Sequence, residues 1–424
     1  MKKVVAVLLF LSFNLVAFGQ TMPKDGDPAL WAKALKIHKK AIVVDGHNDI
    51  TTPLVDEDYD LRKSTVGKFH LGGDPFHTDV ARLKAGGITG EFFAIYVSGT
   101  TMKTGGAMHR AVDMIDATYR EVERNPDSFV SCTTAAEIRT AKKHNKTCIL
   151  MGIEGGYVIE DSLAALRVMY RLGVRYMTLT HNVATNWADA HRDEKHNGLT
   201  DFGKDVVREM NRLGMFIDIS HVSAKVMRDV LDVSTAPVIA SHSGARGVND
   251  HTRNVPDDVL ARMAKNGGVI MVNFYPSFLD ARTNKEENER AAKLKPQLDA
   301  LHEQYKDDQK GFDEAQRKLF AASPIYIAPY TRIVDHIDYI KKIAGIDHVG
   351  LGSDFDGVPM LPAGVSGAED LPLVTYEMLK RGYSETDIRK VLGENLLRAM
   401  AQMESVAKIG TRKISGEGSL KRIK

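Results

Sequence analysis

The sequence predicts an α/β protein of the (β/α)8 TIM-barrel class with a helical insertion. Eight short apolar runs recur along the 424 residues, and amphipathic helical patterns fill most of the intervals between them. Barrels of this class reach this length when they carry insertions, so we expect one domain. An open, doubly wound parallel sheet is the alternative, because alternating strands and helices do not show whether a sheet closes.

The predicted strands are apolar runs of the length that a buried parallel strand needs, and most of them end in polar residues. They cover residues 42–49, 90–97, 147–154, 176–181, 215–221, 238–242, 269–274 and 349–354. The predicted helices between them carry apolar residues at intervals of three and four, often with Gly close behind as a stop signal. They include residues 108–123, 163–172, 203–213, 224–231 and 256–265.

Three segments lie outside this repeat. Residues 28–40 predict a helix before the first strand, and residues 280–322 are charged with spaced Leu, Tyr and Phe, which predicts an amphipathic helical insertion. We expect the insertion to be a lid, a packing arm or a dimer contact within one barrel domain of residues 20–407. The segment 408–424, rich in Lys, Arg, Gly and Ser, is expected to be loosely ordered.

The first 19 residues have the pattern of a secretory signal peptide. Lys2 and Lys3 precede an apolar stretch, and Ala17 and Gly19 supply the small side chains that favour cleavage before residue 20. The stretch is short for a membrane span and contains Asn14. We therefore expect a secreted or periplasmic protein with no stable membrane span after cleavage.

Charge and cysteine content exclude some classes of protein. The chain has 57 Lys and Arg against 55 Asp and Glu, and cleavage would remove Lys2 and Lys3 without removing an acid. This balance argues against nucleic acid as a partner. Cys132 and Cys148 exclude a disulfide framework but permit one bridge in an oxidising compartment. Because Cys148 lies on an apolar strand candidate, we predict a buried free thiol there.

The first predicted strand ends in His47 and Asp49. Residues two apart on a strand point to the same face, and parallel barrels place their chemistry at these strand ends. An imidazole and a carboxylate that converge there can bind a divalent metal ion. A pair of this kind is more often a solvated ion pair, so the other strand ends must supply further ligands.

The other predicted strands supply them. The polar residues at or just after their ends are Glu154, His181, His221, His242 and Asp354. Each alone has an ordinary explanation, such as a paired core carboxylate, a satisfied core histidine or a helix cap. Burying all of them unpaired would cost several kcal/mol each, roughly, unless metal ions compensate. Mixed nitrogen and oxygen ligands suit Zn²⁺, and a carboxylate such as Glu154 could bridge two ions.

Seven segments of the sequence resemble the renal (membrane) dipeptidase family, which is peptidase family M19 of the amidohydrolase superfamily. They occur in the same order as in the family. The resemblance runs from the first predicted strand to the last, and residues 395–398 (NLLR) also resemble a segment near the family's end. The segments are 45–49 (DGHND), 153–156 (IEGG), 179–182 (LTHN), 218–223 (DISHVS), 241–243 (SHS), 253–258 (RNVPDD) and 352–357 (GSDFDG).

The resemblance implies a metal-dependent hydrolase barrel with two Zn²⁺ ions. His47 and Asp49 would bind one ion, Glu154 would bridge both, and His221 and His242 would hold the second.

The resemblance also implies roles for residues around the metals. His181 would contact the scissile carbonyl and stabilise the tetrahedral intermediate, and Asp354 would move the proton. Arg253 would bind the free carboxylate of the substrate with its planar, bidentate side chain. Asp45, in phase with His47, could support that ligand or make a structural hydrogen bond below the site.

The sequence departs from the family pattern at two places near His181. Many members have His where this chain has Tyr157, and Asn-Thr-Pro-Trp where it has residues 184–187 (ATNW). Neither change touches the implied metal ligands. His191 and His196 lie in a charged loop and are predicted to be solvated, while core packing is the favoured interpretation for Trp187 and Tyr275.

The activity implied by the resemblance is hydrolysis of dipeptides that carry a free C-terminal carboxylate, by a hydroxide that bridges the metals. Deacylation of N-acyl amino acids or opening of a β-lactam on the same scaffold is an alternative, and a non-catalytic periplasmic binding protein is a weaker one. We expect a small-molecule dipeptide substrate and a homodimer.

Overall fold

A computed structural model describes residues 21–417 of the chain, with side chains to residue 407. The predicted signal peptide therefore lies outside the described residues, as does the end of the predicted tail, residues 418–424. Within the described residues, no helix is both long and apolar enough to cross a membrane.

Nine strands form one parallel sheet in the described part of the chain, and eight of them close into a barrel. The sheet order is β2-β1-β9-β8-β7-β6-β5-β4-β3, and a further pairing of β2 with β4 closes the ring. The predicted barrel is thus confirmed and the open sheet is excluded. The strands are β1 (Val43–Asn48), β2 (Ile88–Tyr96), β3 (Phe129–Ser131), β4 (Thr147–Glu154), β5 (Val174–Thr178), β6 (Phe216–Asp218), β7 (Ile239–Ala240), β8 (Val269–Val272) and β9 (Val349–Leu351).

Helices connect the strands and surround the barrel. The predicted helix 28–40 and the predicted helical insertion both form, the insertion as α12 and α13. The helices are α1 (Pro28–Lys40), α2 (Thr51–Asp56), α3 (Val80–Ala85), α4 (Thr101–Thr104), α5 (Ala107–Arg124), α6 (Ala135–Lys143), α7 (Leu163–Arg171), α8 (Asp201–Leu213), α9 (Ala224–Val233), α10 (Asp257–Asn266), α11 (Pro276–Leu279), α12 (Ala281–Gln304), α13 (Gln309–Ala321), α14 (Thr331–Ala344), α15 (Pro372–Lys380), α16 (Glu385–Arg389) and α17 (Asn395–Glu417).

Local side-chain caps set where several of these helices begin. Thr200 accepts a hydrogen bond from the Gly203 amide at the start of α8, and Ser223 does the same for the Val226 amide at the start of α9. Each cap satisfies an amide that has no partner inside the helix. Ser223 lies two residues after His221, so its cap also limits how far that polar strand-end segment can move.

The third strand, β3, was not predicted, and it changes the interpretation of the cysteines. It pairs with the first half of β4, where Val130 lies opposite Cys148. This pairing brings Cys132 beside Cys148, and the two form a disulfide with their Cα atoms 5.5 Å apart. The prediction of a free thiol at Cys148 is therefore wrong. A three-residue strand gives too short a pattern to be recognised in the sequence.

The barrel interior is packed and supports the strand ends from below. Inward residues such as Phe92, Leu150 and Tyr176 form a buried cluster with the first turns of α17. Gly152 leaves room for the Tyr176 ring, because a Cβ atom there would lie only 2.0 Å from that ring. The ring can therefore cross the barrel and reach His47 with its hydroxyl group.

Candidate metal centre and substrate cavity

The carboxyl ends of the barrel strands bring the predicted ligands together. His47 lies within β1 and Asp49 directly after it, Glu154 is the last residue of β4, and His221 and His242 follow β6 and β7. The side chains of all five are at most about one-tenth exposed. The strand-end positions of these residues predict that they lie close together, because parallel strands in a barrel end on the same face.

Glu154 stands at the centre of the cluster. Its Oε1 atom lies 3.0 Å from the Nε2 atom of His221, 3.4 Å from that of His242 and 3.5 Å from that of His47. The Nε2 atoms of His221 and His242 are themselves 2.9 Å apart. Three imidazole nitrogens thus converge on one carboxylate oxygen, as metal ligands around a shared carboxylate would.

Asp49 and Asp354 complete the cluster on the side of His47. The Nε2 atom of His47 lies 3.3 Å from Asp49 Oδ2 and 4.0 Å from Asp354 Oδ1. It is buried and has no hydrogen-bond partner among the residues that the structure describes. Within residues 21–417, three overlapping groups of residues could each hold a metal ion. They are His47 with Glu154 and His242, Glu154 with His181 and His221, and His47 with Asp49 and Asp354.

Hydrogen bonds at the far side of two rings fix which nitrogen faces the cluster. The Ser241 hydroxyl donates to Asp218 at 2.6 Å, so its oxygen can accept from His242 Nδ1 at 2.8 Å. His221 Nδ1 lies 3.3 Å from the Asn182 Oδ1 atom, which can only accept. In both rings the Nδ1 atom carries the proton, and the Nε2 lone pair is left for a metal ion.

His47 is oriented by Tyr176. The phenol oxygen lies 2.7 Å from His47 Nδ1. Asp45, by contrast, accepts hydrogen bonds from the backbone amides of His47 and Ser353, so it fixes the backbone of the two strands and does not contact the His47 ring. Of the two roles considered for Asp45, the structural one describes its contacts.

The electrostatics of the cluster differ between its imidazoles. Burial works to lower the pKa of His47, but Tyr176, Glu154 and Asp49 together raise it well above the usual value. Burial lowers the pKa of His221 well below its usual value, and the nearby Arg253 lowers it further. Burial likewise lowers the pKa of His242. Burial and the neighbouring Glu154 raise the pKa of Asp49 to about 7, because two buried carboxylates repel each other. A metal ion would relieve this repulsion, so the donor set fits a metal centre.

Two residues of the site have left-handed backbone conformations. His221 and Asp354 each have a φ angle of 65°. Residues other than Gly adopt this region at a cost, and such residues cluster at functional sites. The Asn273 amide also holds Asp354, donating to its Oδ2 atom at 2.7 Å. Its other carboxylate oxygen, Oδ1, faces the cluster.

Arg253 is a buried cation beside the metal ligands. It is 1 % exposed, donates to the carbonyl oxygen of His242 at 3.1 Å and to the Ser243 hydroxyl at 3.2 Å, and stacks on the Phe278 ring. Its Nε atom has no partner in the described residues. Burial lowers its pKa to about 10, which leaves it charged at neutral pH. A buried cation with a spare donor is suited to hold a carboxylate.

A cavity of about 440 Å³ opens above the cluster. Its base includes Glu154, His181 and Asp354, and one wall is formed by Tyr275 and Phe278. The volume is in the range of small-molecule sites.

Several side chains do not lie where they were predicted. Tyr275 packs against the core, as favoured, but it also lines the cavity, whereas Trp187 is buried in the core alone. His191 is buried, bonded to Thr252, and has its pKa lowered by burial to about 2. His196 is half-buried, with its Nε2 atom 2.9 Å from the Thr185 carbonyl oxygen. Neither histidine is the solvated residue that the charged loop predicted.

The sequence interpretation did not find Tyr176, Asn182, Ser241 or Asn273 as site residues. Each of them contacts a candidate metal ligand or Asp354. The sequence does not show these contacts, because they form only when the strands lie side by side. For Asp218 the sequence did contain a signal, because it begins the family-like segment of residues 218–223. In the structure Asp218 accepts a hydrogen bond from the Ser241 hydroxyl.

The profile of the membrane dipeptidase family, peptidase family M19, matches residues 31–413. The chain belongs to this family. The predicted resemblance is thereby confirmed, and the enzyme is a metallodipeptidase.

Solved structures of family proteins share the fold. The probable dipeptidase PvdM from Pseudomonas aeruginosa is 25% identical, with a TM-score of 0.73 over 89% of this chain and 99% of that one. Dipeptidase AC, a metallopeptidase of family M19, is 27% identical, with a TM-score of 0.67 over 86% and 98%. A metallopeptidase from Rhodobacter sphaeroides, liganded with a phosphinate mimic of the dipeptide L-Ala-D-Ala, is also 27% identical, with a TM-score of 0.67 over 86% and 100%.

Proposed function

We propose that the enzyme holds two zinc ions and hydrolyses dipeptides that have a free C-terminal carboxylate. The observation that carries the proposal is the convergence of three imidazole Nε2 atoms on Glu154 Oε1, within 3.0 to 3.5 Å. His47 and Asp49 would bind one ion, His221 and His242 the other, and Glu154 both. The dipeptide mimic bound to the Rhodobacter sphaeroides relative supports a substrate of this size.

Bound zinc would supply a water of lowered pKa and a Lewis acid for the substrate carbonyl. The protein supplies proton transfer through Asp354. Asn273 engages Oδ2, and Oδ1 faces the cluster 4.0 Å from His47 Nε2. We therefore propose that Oδ1 accepts a proton from the attacking water and returns it to the departing amine.

His181 would stabilise the negative charge that develops on the substrate carbonyl oxygen. Its ring lines the cavity, and its Nε2 atom lies 3.9 Å from Glu154 Oε1, beside the cluster rather than inside it. A ring N–H at this position can donate to the oxyanion. Because this charge is absent in the bound substrate, the interaction would act on kcat.

Arg253 would fix the opposite end of the substrate. Its buried guanidinium group can form charge-assisted hydrogen bonds to a carboxylate, which are about twice as strong as neutral ones. A clamp at one end and the metals at the other limit the distance between the carboxylate and the scissile bond. This distance favours dipeptides over longer peptides.

Zinc analysis combined with a matched substrate panel tests the proposal. The panel contains a dipeptide, its C-terminal amide, an N-acyl amino acid and a β-lactam. We expect two zinc ions per chain and the highest kcat/KM for the dipeptide. A folded, zinc-loaded protein that binds dipeptides without cleaving them would refute the activity, and preferred cleavage of an acyl amino acid or β-lactam would replace dipeptides as the substrate class.

Arg253→Ala tests the carboxylate clamp. Removal of a charge-assisted contact of about 1.5–3 kcal/mol should lower kcat/KM for the dipeptide by roughly ten- to a hundredfold. Activity on the dipeptide amide should change much less. The Arg262→Ala variant is the control, because Arg262 pairs with Asp232 at the surface. Equal losses on acid and amide would contradict the clamp.

We also propose an extracytoplasmic location and a homodimer with one barrel domain per chain. The Cys132–Cys148 disulfide supports an oxidising compartment. Light scattering of the purified enzyme and N-terminal sequencing of the exported protein test these proposals. A monomer in solution would contradict the homodimer. An exported protein that still begins at Met1 would contradict cleavage of the signal peptide.

A further inference from the structure

The hydroxyl group of Tyr157 joins two loops of the site. Tyr157 is 4 % exposed and lies in the short 3-10 turn Gly156–Ile159, directly after the Glu154 strand end. Its oxygen lies 3.0 Å from the His181 amide nitrogen and 3.3 Å from that of Val183, and it donates to the Val183 carbonyl oxygen. A hydroxyl donates once and accepts twice, so these bonds use its full capacity.

The His181 ring depends on this backbone for its position. In the described part of the chain the ring makes no side-chain hydrogen bond. It packs edge-on against Tyr96, at 4.9 Å between ring centres, and lies tilted against His221, at 4.2 Å. Ring contacts limit tilt, but the height of the ring above Glu154 is set by its own main chain, which Tyr157 holds.

We propose that Tyr157 is a positioning residue for His181 and sets its distance from the reacting carbonyl. The inference rests on the proposed role of His181. The phenol reaches across from the turn that follows Glu154, so one side chain couples the segment after the central carboxylate to the oxyanion donor.

The first test is Tyr157→Phe, which keeps the ring and removes the hydroxyl. We expect kcat to fall roughly ten- to a hundredfold, because small misplacements of a catalytic group have losses of this size. KM should stay within about threefold and zinc content should not change. Tyr119→Phe is the matched control, since it removes a phenol bond to the Leu172 carbonyl oxygen and does not line the cavity. An unchanged kcat in Tyr157→Phe would overturn the inference.

A double-mutant cycle with His181→Ala separates positioning from a general structural effect. If Tyr157 acts through His181, Tyr157→Phe should cause no further loss of kcat in the His181→Ala background. Additive losses would overturn the inference. Full activity of His181→Ala would remove the proposed role of His181 and this inference with it, whereas loss in His181→Ala without loss in Tyr157→Phe overturns the inference alone.

Gly99→Ala provides a second variant if Tyr157→Phe does not fold. A Cβ atom at residue 99 would lie 2.9 Å from Val183 Cβ and 3.2 Å from the Tyr157 hydroxyl oxygen. The variant therefore displaces the Tyr157 hydroxyl from the backbone of residues 181–183 without deleting a hydrogen-bonding group. We expect a lower kcat with unchanged zinc content and no further loss in the His181→Ala background. Wild-type kcat, or additivity, would overturn the inference.

Discussion

At the scale of single residues, Asp354 combines a strained backbone with two carboxylate oxygens in different surroundings. Its φ angle is 65°, Asn273 donates to Oδ2, and Oδ1 faces His47 at 4.0 Å. The strand-end position of Asp354 was predictable from the sequence. The contact with Asn273 was not, because 81 residues separate the two and only the adjacent strands β8 and β9 bring them together.

Asp354→Asn should separate proton transfer from metal binding. The amide keeps the size of the side chain but cannot accept and return a proton, so we expect kcat to fall by roughly 10² to 10⁴ while zinc content stays near that of the wild type. Metal analysis and steady-state kinetics measure the two effects. Asp356→Asn is the comparison, since the buried Asp356 carboxylate accepts from the His77 amide and lies 3.0 Å from His70 Nε2, beside the cavity. Substantial zinc loss in Asp354→Asn would instead make Asp354 a ligand.

At the scale of elements, the insertion helix α12 supports a wall of the substrate cavity. Glu287 accepts hydrogen bonds from the Tyr275 hydroxyl, at 2.5 Å, and from the Ser277 hydroxyl. The following helix, α13, contacts the loop on another side of the cavity, where Gly72 donates to Asp313 at 3.1 Å. Of the roles considered for the insertion, a packing arm describes these contacts.

Glu287→Ala tests this supporting role. Without its acceptor, the Tyr275 phenol must find another partner and the ring is free to turn, which weakens ground-state binding. We expect KM to rise by roughly three- to tenfold while kcat stays within about twofold. Glu289→Ala is the control on the same helix, because Glu289 is exposed and pairs with Lys285 at 3.8 Å. An unchanged KM in Glu287→Ala would show that the insertion does not support the cavity.

The elements also show why some predictions succeeded. Long periodic patterns such as α5 and α8 were predicted closely because their apolar stripes face one layer of core. The strand β3 and its disulfide were missed because three residues carry no usable period. His191 was misjudged because a charged loop is normally solvated, whereas this loop folds back onto Thr252 and Asn182.

At the scale of the whole molecule, buried neutral histidines make stability depend on pH. His336 is fully buried, accepts the Ala245 amide at Nδ1 and lies 3.1 Å from the Leu279 carbonyl at Nε2. Burial lowers its pKa from 6.5 to about 4, and burial does the same for His38. Above pH 7 both the folded and the unfolded chain hold these rings neutral. As the pH falls from 6.5 towards 4, only the unfolded chain takes up protons.

The free energy of unfolding should therefore decrease over this pH range. Each such histidine should contribute a loss of about 2 kcal/mol between pH 7 and pH 5. Urea unfolding of the zinc-loaded enzyme and of His336→Gln measures this, and the variant should have a shallower pH dependence. His109→Gln, which changes an exposed residue of α5, is the control. An identical slope in His336→Gln and wild type would contradict the prediction.

The scattering of the candidate ligands along the chain has a consequence for folding kinetics. No single strand end carries more than two of these ligands. The pairing of β1 with β9, which flanks the cluster, joins Asp45 to Leu351 and so connects the two ends of the barrel sequence. Such distant contacts form late, because the loops between them must close first. We therefore expect the cluster to form only once the barrel has closed. We expect zinc to slow unfolding while leaving the refolding rate almost unchanged. The ion would then stabilise the folded barrel without taking part in the transition state for folding.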